Sequence, residues 1–410
     1  MSNIVETLSR YNEVCSSQSE KPDSHIIKVL KKEEALLKKN QKDGLLLYLA
    51  GNNHHYTDHR LGDKDAQILY LTLRNNLFIT GLDLRYNNIT DEGAQAIGAL
   101  VQETVTLQDL NLMFNDITKI GAIIIASCME KNDTITTLRL TGNKIGNTGG
   151  MAFAQMLQVN TRLACLDLGD TDLEIQSLIA FSTVLLQNFT LKSLVVNRPL
   201  LFTKQEEHTI HFAKMLKINK TLTELHMAKF DMRDHGALWL SESLQTNYTI
   251  TYLNLSCNRI SQDGVKHLTN VLRNNTHLKV LDLSSNEIKD AGAVALSQTL
   301  AGLNTNLTTL DVTYNQISGE GLCALADCLR INTTLANVYI WGNKLEQSAA
   351  IAFCRLLDSG RLESKNVDFE PYIVDGKTIL SRLSNTIRPY YYWGASYGEN
   401  PQPEIAELLQ

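Results

Sequence analysis

Residues 278–300 read LKVLDLSSNEIKDAGAVALSQTL and contain the frame L-x-x-L-x-L-x-x-N. The same frame recurs along the 410-residue chain, and its asparagines lie 28 or 29 residues apart within two series. The members are Asn87, Asn115, Asn143, Asn258, Asn286, Asn315 and Asn343. Leucines locked to a period of this length are typical of a solenoid, in which stacked repeats bury each other's flanks.

Each repeat is predicted to form a strand, a turn and a helix. Alternating leucines, as in Leu281-Asp282-Leu283, indicate a short strand with its leucines directed into the core. The asparagine follows at the turn, where its side-chain amide can bond backbone groups that strand pairing leaves free. A glycine six residues later, such as Gly292, begins a helix with its apolar residues on one face.

The middle of the chain keeps the period but loses the asparagine. Thr171, Pro199 and Phe230 take its place, the last after a step of 31 residues. We interpret these as degenerate repeats of one continuous solenoid, not as a linker.

The two ends depart from the repeat. We predict a helical cap over residues 1–43 with Ser24 as a helix N-cap, and repeats over 44–360. Residues 361–385 should form a hairpin that turns at Asp375-Gly376. Residues 386–410 form a tail containing aromatic residues and proline, and its candidate anchors are Tyr390, Tyr391, Tyr392 and Trp393. Such an apolar run either covers the last repeats or docks on a partner.

The frame resembles the ribonuclease-inhibitor subclass of leucine-rich repeats over roughly residues 45–358. That resemblance implies an α/β horseshoe solenoid of about eleven repeats of 28–31 residues, with parallel strands on the concave face and helices on the convex face. It also implies a protein-interaction scaffold without a cofactor. Members with this layout are associated with the nucleolus, with germ and stem cells and with cilia, so nucleolar or axonemal protein partners are expected.

Composition excludes several classes of function. The net charge is −6, which does not favour nucleic acid as a partner. No apolar run approaches the ~18 residues of a membrane span, and no signal pattern opens the chain, so we expect a cytoplasmic or nuclear protein, or one of the ciliary axoneme. Without a phosphate-binding G-x-x-x-x-G-K-S/T or an H-E-x-x-H motif, we expect neither an enzyme nor a small-molecule substrate.

The outward strand positions are the candidate binding surface, because solenoids of this class bind through that face. The predicted residues are Asp83, Arg85, Asn111, Arg139, Asp167, His226, Asn254, Asp282, Asp311, Tyr339 and Trp341. Tyr339 and Trp341 are the expected anchors, since exposed aromatic residues bury much area at little entropic cost. The alternative is that the C-terminal hairpin covers both.

A polar loop at residues 54–65 offers two further hypotheses. His54, His55, Asp58 and His59 include zinc-ligand types, but no second element supplies partners, so we expect a solvated loop and no metal. Tyr56-Thr57-x-x-Arg60-Leu61-x-Asp63-x-Asp65 is similar to the arginine loop of the Ran GTPase-activating protein. That similarity implies that Arg60 contacts a GTPase, although the long acidic tail of that family is absent.

Overall fold

The computed structural model describes residues 4–37, 44–52, 60–202, 205–274, 277–302 and 304–387. The chain divides into two compact units at Val195/Val196. Both units repeat the same strand–turn–helix motif, and each is described below by itself. The predicted boundaries at 43/44, 360/361 and 385/386 stay predictions.

The first unit begins with two helices and then alternates strands with helices. Its helices are α1 Ile4–Ser17, α2 Ser24–Leu37, α3 Asp63–Leu73, α4 Asp91–Glu103, α5 Lys119–Met129, α6 Gly146–Val159 and α7 Ile175–Val184. Its strands are β1 Leu45–Tyr48, β2 Ile79–Asp83, β3 Asp109–Asn111, β4 Thr137–Arg139, β5 Cys165–Asp167 and β6 Ser193–Val195.

The second unit continues the alternation and closes with a hairpin. Its helices are α8 Glu207–Ile218, α9 Asp234–Leu244, α10 Gln262–Asn274, α11 Lys289–Leu300, α12 Gly319–Ile331 and α13 Gln347–Asp358. Its strands are β7 Glu224–His226, β8 Tyr252–Asn254, β9 Val280–Asp282, β10 Thr309–Asp311, β11 Asn337–Tyr339, β12 Phe369–Val374 and β13 Lys377–Arg382.

Consecutive repeat strands pair in parallel within each unit, with one register shift between β1 and β2 at Leu45/Leu46. Leu110 faces Leu138 in the first unit, and Leu281 faces Leu310 in the second. These leucines are fully buried or nearly so, and burying one such side chain contributes about 1.5–3 kcal/mol. The eleven repeat strands confirm the predicted α/β leucine-rich repeat solenoid.

The asparagine ladder joins neighbouring repeats as predicted. Asn115 donates from Nδ2 to the carbonyl oxygens of Leu84 and Leu112, and its Oδ1 accepts the Ile89 N–H. With a further bond to the Met113 carbonyl, one amide therefore bonds both the preceding repeat and its own repeat twice. At the degenerate position, the Thr171 hydroxyl donates to the Leu168 carbonyl within its own repeat.

The residue before each ladder position has positive φ, which the sequence pattern did not predict. The set is Tyr86, Phe114, Gly142, Asp170, Arg198, Lys229, Cys257, Ser285, Tyr314 and Gly342. The left-handed conformation costs a non-glycine residue roughly 1 kcal/mol. Its recurrence before Thr171, Pro199 and Phe230 shows that the turn is kept where the asparagine is lost.

The glycine in the first turn of several helices leaves room for a carboxylate of the preceding repeat. Asp91 at the start of α4 accepts hydrogen bonds from the N–H groups of Thr118 and Gly121, one repeat on. A Cβ at Gly121 would lie 2.6 Å from the Asp91 carboxylate. Asp290, Ser318 and Gly321 repeat this arrangement in the second unit. We call each such set a carboxylate staple.

A second row of asparagines holds the connections from helix to strand. Asn132 accepts the N–H groups of Thr134 and Ile135 and donates to the Val101 carbonyl of the preceding repeat. Asn160, Asn247 and Asn332 do the same. These buried amides explain why asparagine recurs between helix and strand.

The first unit's N-terminal end corrects one sequence prediction. The N-cap of α2 is Asp23, not Ser24, because the Asp23 carboxylate accepts the N–H groups of His25 and Ile26. Helix α1, which the sequence analysis missed, lies before it and buries Tyr11.

The second unit ends in the predicted hairpin. β12 and β13 pair antiparallel around Asp375-Gly376, which both have positive φ. Phe369 and Leu380 are buried, and the Phe369 ring meets Phe353 of α13 edge to face at 5.3 Å. The base of the hairpin thus covers the end of the core, while Ile373 near its tip is exposed.

Candidate partner-binding surface

The predicted binding residues lie on the face of the strands away from the leucine core, because successive side chains of a strand point to opposite faces. Period two adds the positions before them. The first strand row comprises Asp83, Arg85, Asp109, Asn111, Arg139, Thr141 and Asp167. The second strand row comprises Glu224, His226, Tyr252, Asn254, Asp282, Asp311, Tyr339 and Trp341. Asp109, Glu224 and Tyr252 were missed by the sequence analysis, although their spacing would have found them.

These rows have little accessible area. Nine of the eleven predicted residues are at most 9% exposed, and only Asn254 and Trp341 are half-buried. Their role in binding stays a prediction. A partner would have to bind a surface that has little solvent-accessible area in the free chain.

The recurrent Asp or Asn of the rows also has a local structural role. Asp83, Asn111 and Asp167 each accept the N–H two residues further on, as do Asn254, Asp282 and Asp311. A short side-chain acceptor suits this turn, because the strand ends here and the N–H two residues further on needs an acceptor. The residue type at these positions is therefore explained by the turn, and binding has to be argued from charge.

The carboxylates of the first strand row have cationic or hydroxyl partners. Arg139 Nη1 donates to both oxygens of Asp109 at 2.7 and 2.9 Å. The Arg85 Nε lies 3.4 Å from Asp83 Oδ2, and the Thr141 hydroxyl donates to Asp167. Burial raises the Asp83 pKa, although Arg85 and Arg139 oppose the shift. The first row is thus internally compensated.

Asp282 and Asp311 of the second strand row have hydroxyl partners but no lysine or arginine partner among the described residues. Asp282 and Asp311 lie side by side on β9 and β10, and no lysine or arginine in the described ranges forms an ion pair with either. Burial raises the pKa of Asp282. Burial and the neighbouring Asp282 charge raise that of Asp311 well above its ordinary value. The hydroxyl groups of Ser284 and Thr313 favour the ionised forms but do not outweigh burial.

His226 is the imidazole side chain of the second row. Its Nε2 lies 3.7 Å from Glu224 Oε2, and its ring meets Tyr252 edge to face at 4.7 Å. Nε2 is buried without a hydrogen-bond partner among the described residues. A buried polar nitrogen of this kind is uncommon, because leaving it unsatisfied costs about 1–3 kcal/mol.

The C-terminal end of the second row adjoins the segment after the hairpin. The Tyr339 hydroxyl donates to the Thr386 carbonyl at 3.3 Å. Asp368 accepts the backbone N–H groups of Ile340 and Trp341. Burial, with the charges of Asp311 and Asp368, raises the Tyr339 pKa to about 12. The segment after β13 therefore contacts the predicted anchor Tyr339, and Asp368 just before β12 holds the backbone at Trp341.

The remaining predicted residues divide between described and undescribed parts of the chain. Arg60 is exposed. The acidic residues of its motif have structural roles: Asp63 is the staple carboxylate for Thr90 and Gly93, and Asp65 accepts the Gly62 N–H. The loop residues His54, His55, Asp58 and His59 and the tail anchors Tyr390, Tyr391, Tyr392 and Trp393 lie outside the described residues.

Within the ranges that the structure describes, no group of three or more His, Cys, Asp or Glu side chains is placed to hold a metal ion. No helix there is both long and apolar enough to cross a membrane.

The repeat geometry and the strand rows define a leucine-rich repeat protein. The leucine-rich repeat family model matches residues 75–98, 105–126, 131–154, 246–268, 274–297 and 303–326. Full-length relatives narrow the assignment. The chain is 48% identical over 394 residues to leucine-rich repeat-containing protein 34 of Mus musculus, covering 96% of this chain and 95% of the relative. It is 45% identical over 390 residues to the Homo sapiens protein, covering 95% and 84%. The chain belongs to the leucine-rich repeat-containing protein 34 family.

Solved structures give more distant similarities. Leiomodin-1 actin-binding site 2 aligns with a TM-score of 0.32 and 19% identity, over 37% of this chain and 86% of that one. The tropomodulin C-terminal domain of Caenorhabditis elegans aligns with a TM-score of 0.32 and 15% identity, over 38% and 92%.

Proposed function

We propose that this chain is a non-enzymatic scaffold that binds a protein partner through the second strand row, with the aromatic tail as a further contact. The observation that carries the proposal is the pair Asp282 and Asp311, two buried carboxylates without an ion-pair partner in the described part of the chain. Leucine-rich repeat proteins are in general protein-interaction scaffolds, which supports the class of function.

The chemistry of the row favours a partner segment with arginine or lysine. An ionised carboxylate is costly to bury, and a cation that hydrogen-bonds to it offsets that cost. Arginine fits best, because its planar guanidinium donates to a carboxylate through two parallel N–H groups. Trp341 and Tyr339 lie beside this charge and supply the aromatic contact typical of interface centres.

Affinity purification of the full chain with mass spectrometry tests the proposal. Asp282→Asn/Asp311→Asn keeps the local turn acceptors but removes both charges. We expect partners recovered with the wild type to fall at least tenfold, since truncating charge pairs at interfaces costs roughly 2 kcal/mol or more. Asp327→Asn is the matched control, because Asp327 is exposed on α12. Equal recovery with all three chains would refute the proposal.

The same purification separates the partner classes that the resemblance suggests. Recovery of nucleolar proteins points to a nucleolar role, and recovery of axonemal proteins points to a structural component of the ciliary axoneme. The exposed Arg60 supports a candidate from another class, regulation of a GTPase. If that candidate is correct, the chain accelerates GTP hydrolysis by a recovered GTPase and Arg60→Ala abolishes the acceleration.

A further inference from the structure

The outer face of α5 in the first unit is apolar. Ile120 and Ile123 on this helix are 56% and 41% exposed, and Met151 on the neighbouring α6 is 43% exposed. At the positions of α4 that correspond to Ile120 and Ile123, the exposed residues are Glu92 and Gln95. Ile120 and Ile123 lie three residues apart in the helix, so their side chains are neighbours on its surface. A contiguous apolar patch of this kind marks a surface for interaction.

Charged residues flank this patch at both ends of α5. Asp116 and Lys119 stand at its beginning, and Glu130 and Lys131 stand at its end. Asp116, Lys119 and Lys131 are exposed, and Glu130 is half-buried. Within the residues that the structure describes, none of the four forms an ion pair. At about 3.6 residues per turn, Lys119, Glu130 and Lys131 project from the same side of the helix as the two isoleucines. Both ends thus present the acid first and the base second.

The order of these charges favours a second copy of this chain, packed antiparallel, as the occupant of the patch. When the α5 helices of two copies run in opposite directions, Lys119 meets Glu130 of the second copy. Asp116 likewise meets Lys131 of the second copy, and a two-fold axis repeats both contacts. In a parallel arrangement, Lys119 would face its own copy, and like charges at an interface are unfavourable. Lys119 and Glu130 are about 16 Å apart along the helix, so they cannot pair within one chain.

The size of the patch indicates a weak dimer. α5 has 11 residues and α6 has 14, so the two helices are roughly 16 and 21 Å long. With axes about 8–10 Å apart, they present roughly 300–400 Å² per copy in projection. Stable complexes bury about 800 Å² per partner. Association through this face should therefore require micromolar concentrations.

We infer that the outer face of α5, together with Met151 of α6, binds a second copy of this chain in an antiparallel, two-fold symmetric contact. Ile120 and Ile123 form the apolar centre of this contact, and the charged residues at the two ends of α5 form ion pairs across it. The inference does not rest on the proposed function, because the second strand row belongs to the other unit.

Sedimentation velocity of the full chain at about 1–100 µM tests the association, since a small interface dissociates in this range. We expect the sedimentation coefficient of the wild type to rise towards that of a dimer with concentration. Ile123→Glu places a carboxylate from each copy in the apolar centre and should keep the chain monomeric throughout. Val5→Glu makes the same kind of change at a half-exposed position of α1 and should sediment as the wild type does. A wild type that stays monomeric, or an equal loss in both variants, would overturn the inference.

A charge swap tests the antiparallel direction. Lys119→Glu and Glu130→Lys should each weaken association about tenfold, because each variant places like charges together twice in the dimer. The double variant Lys119→Glu/Glu130→Lys should restore it. Both changes suit the ends of a helix, since an acid at its start and a base at its end complement the helix dipole, so the fold should be kept. A double variant that associates no better than the single ones would contradict antiparallel packing through α5.

Photo-crosslinking locates the contact and separates it from the proposed function. With p-benzoylphenylalanine in place of Ile123, we expect crosslinks to the tryptic peptides 120–131 and 145–162 of the second copy, which contain the outer residues of α5 and α6. Mixing copies of light and heavy isotope composition identifies crosslinks between molecules. Crosslinks to other peptides, or within one molecule only, would overturn the inference. The Asp282→Asn/Asp311→Asn chain should associate as the wild type does, so a failure of the proposed function would leave the dimer intact.

Discussion

The two strand rows occupy equivalent positions of the repeat motif, yet their carboxylates have different partners. In the first row, Asp109 is bonded by Arg139 and Asp83 lies beside Arg85. In the second row, Asp282 and Asp311 lie side by side on neighbouring strands, and no described lysine or arginine forms an ion pair with either. Since both rows stand on the same strand–turn–helix motif, the difference in ion pairing comes from which side chains occupy the row positions. The comparison teaches that equivalent positions of one repeat can hold carboxylates with ion-pair partners in one row and carboxylates without them in another.

The largest effect should come from breaking the compensated pair. Arg139→Met leaves the Asp109 carboxylate without its cation in a site where the Arg139 side chain is 11% and the Asp109 side chain 25% exposed. We expect a loss of about 2 kcal/mol in the free energy of unfolding, less than for a fully buried pair. Urea unfolding followed by circular dichroism measures it. The double variant Asp109→Asn/Arg139→Met should recover most of the loss, and no recovery would argue against a charge effect.

Next in size are the carboxylate staples, which the two units share. Asp91→Ala and Asp290→Ala each remove hydrogen bonds to two N–H groups and a hydroxyl of the next repeat. We expect a loss of about 1–2 kcal/mol in both, as for an N-cap. The exposed Asp327→Ala is the control. A large difference between the two staple variants would mean that the units differ in more than their rows.

How much of this comparison the sequence could predict depends on the range of each interaction. Alternation within a strand predicted the face that carries Asp83, Asp282 and Asp311, and the period predicted the asparagine ladder. The ion pair of Asp109 with Arg139 joins residues 30 apart, and nothing in the local pattern distinguishes it from the uncompensated pair. The sequence also did not predict the left-handed residues before the ladder positions, because Tyr86, Cys257 and Gly142 have no residue type in common.

A smaller effect of opposite sign is expected in the second row. Asp311→Asn keeps the acceptor for the Thr313 N–H but removes a charge that burial and Asp282 disfavour. We expect the free chain to gain about 1 kcal/mol at neutral pH. Urea unfolding beside Arg139→Met measures it. A destabilised Asp311→Asn chain would show that its charge is already compensated.

The pH dependence of these variants should separate the rows from the staples. The pKa of Asp311 is raised in the folded chain. The contribution of its protonated form to the free energy of unfolding is therefore complete below the ordinary aspartate pKa and is lost as pH rises through the folded pKa. The stability advantage of Asp311→Asn should therefore vanish at about pH 3.

Asp91 should show the opposite pH dependence. Burial disfavours ionised Asp91, but hydrogen bonds from Thr118 and Gly121 outweigh burial and lower the Asp91 pKa. The cost of Asp91→Asn should instead shrink as pH falls. Thermal unfolding from pH 3 to pH 8 tests both signs, and parallel profiles would contradict them.

The smallest effect concerns the hydroxyl that links the second row to the C-terminal segment. Tyr339→Phe removes one bond to the Thr386 carbonyl, at 3.3 Å a weak one, and keeps the buried ring. We expect a loss of about 0.5 kcal/mol in unfolding free energy. Tyr372→Phe, on the exposed hairpin, is the control. Urea unfolding measures this loss, and Tyr372→Phe should leave the free energy of unfolding unchanged. An unchanged free energy of unfolding in Tyr339→Phe would show that this bond adds nothing to stability, so the second row would differ from the first through its charges and not through this hydroxyl.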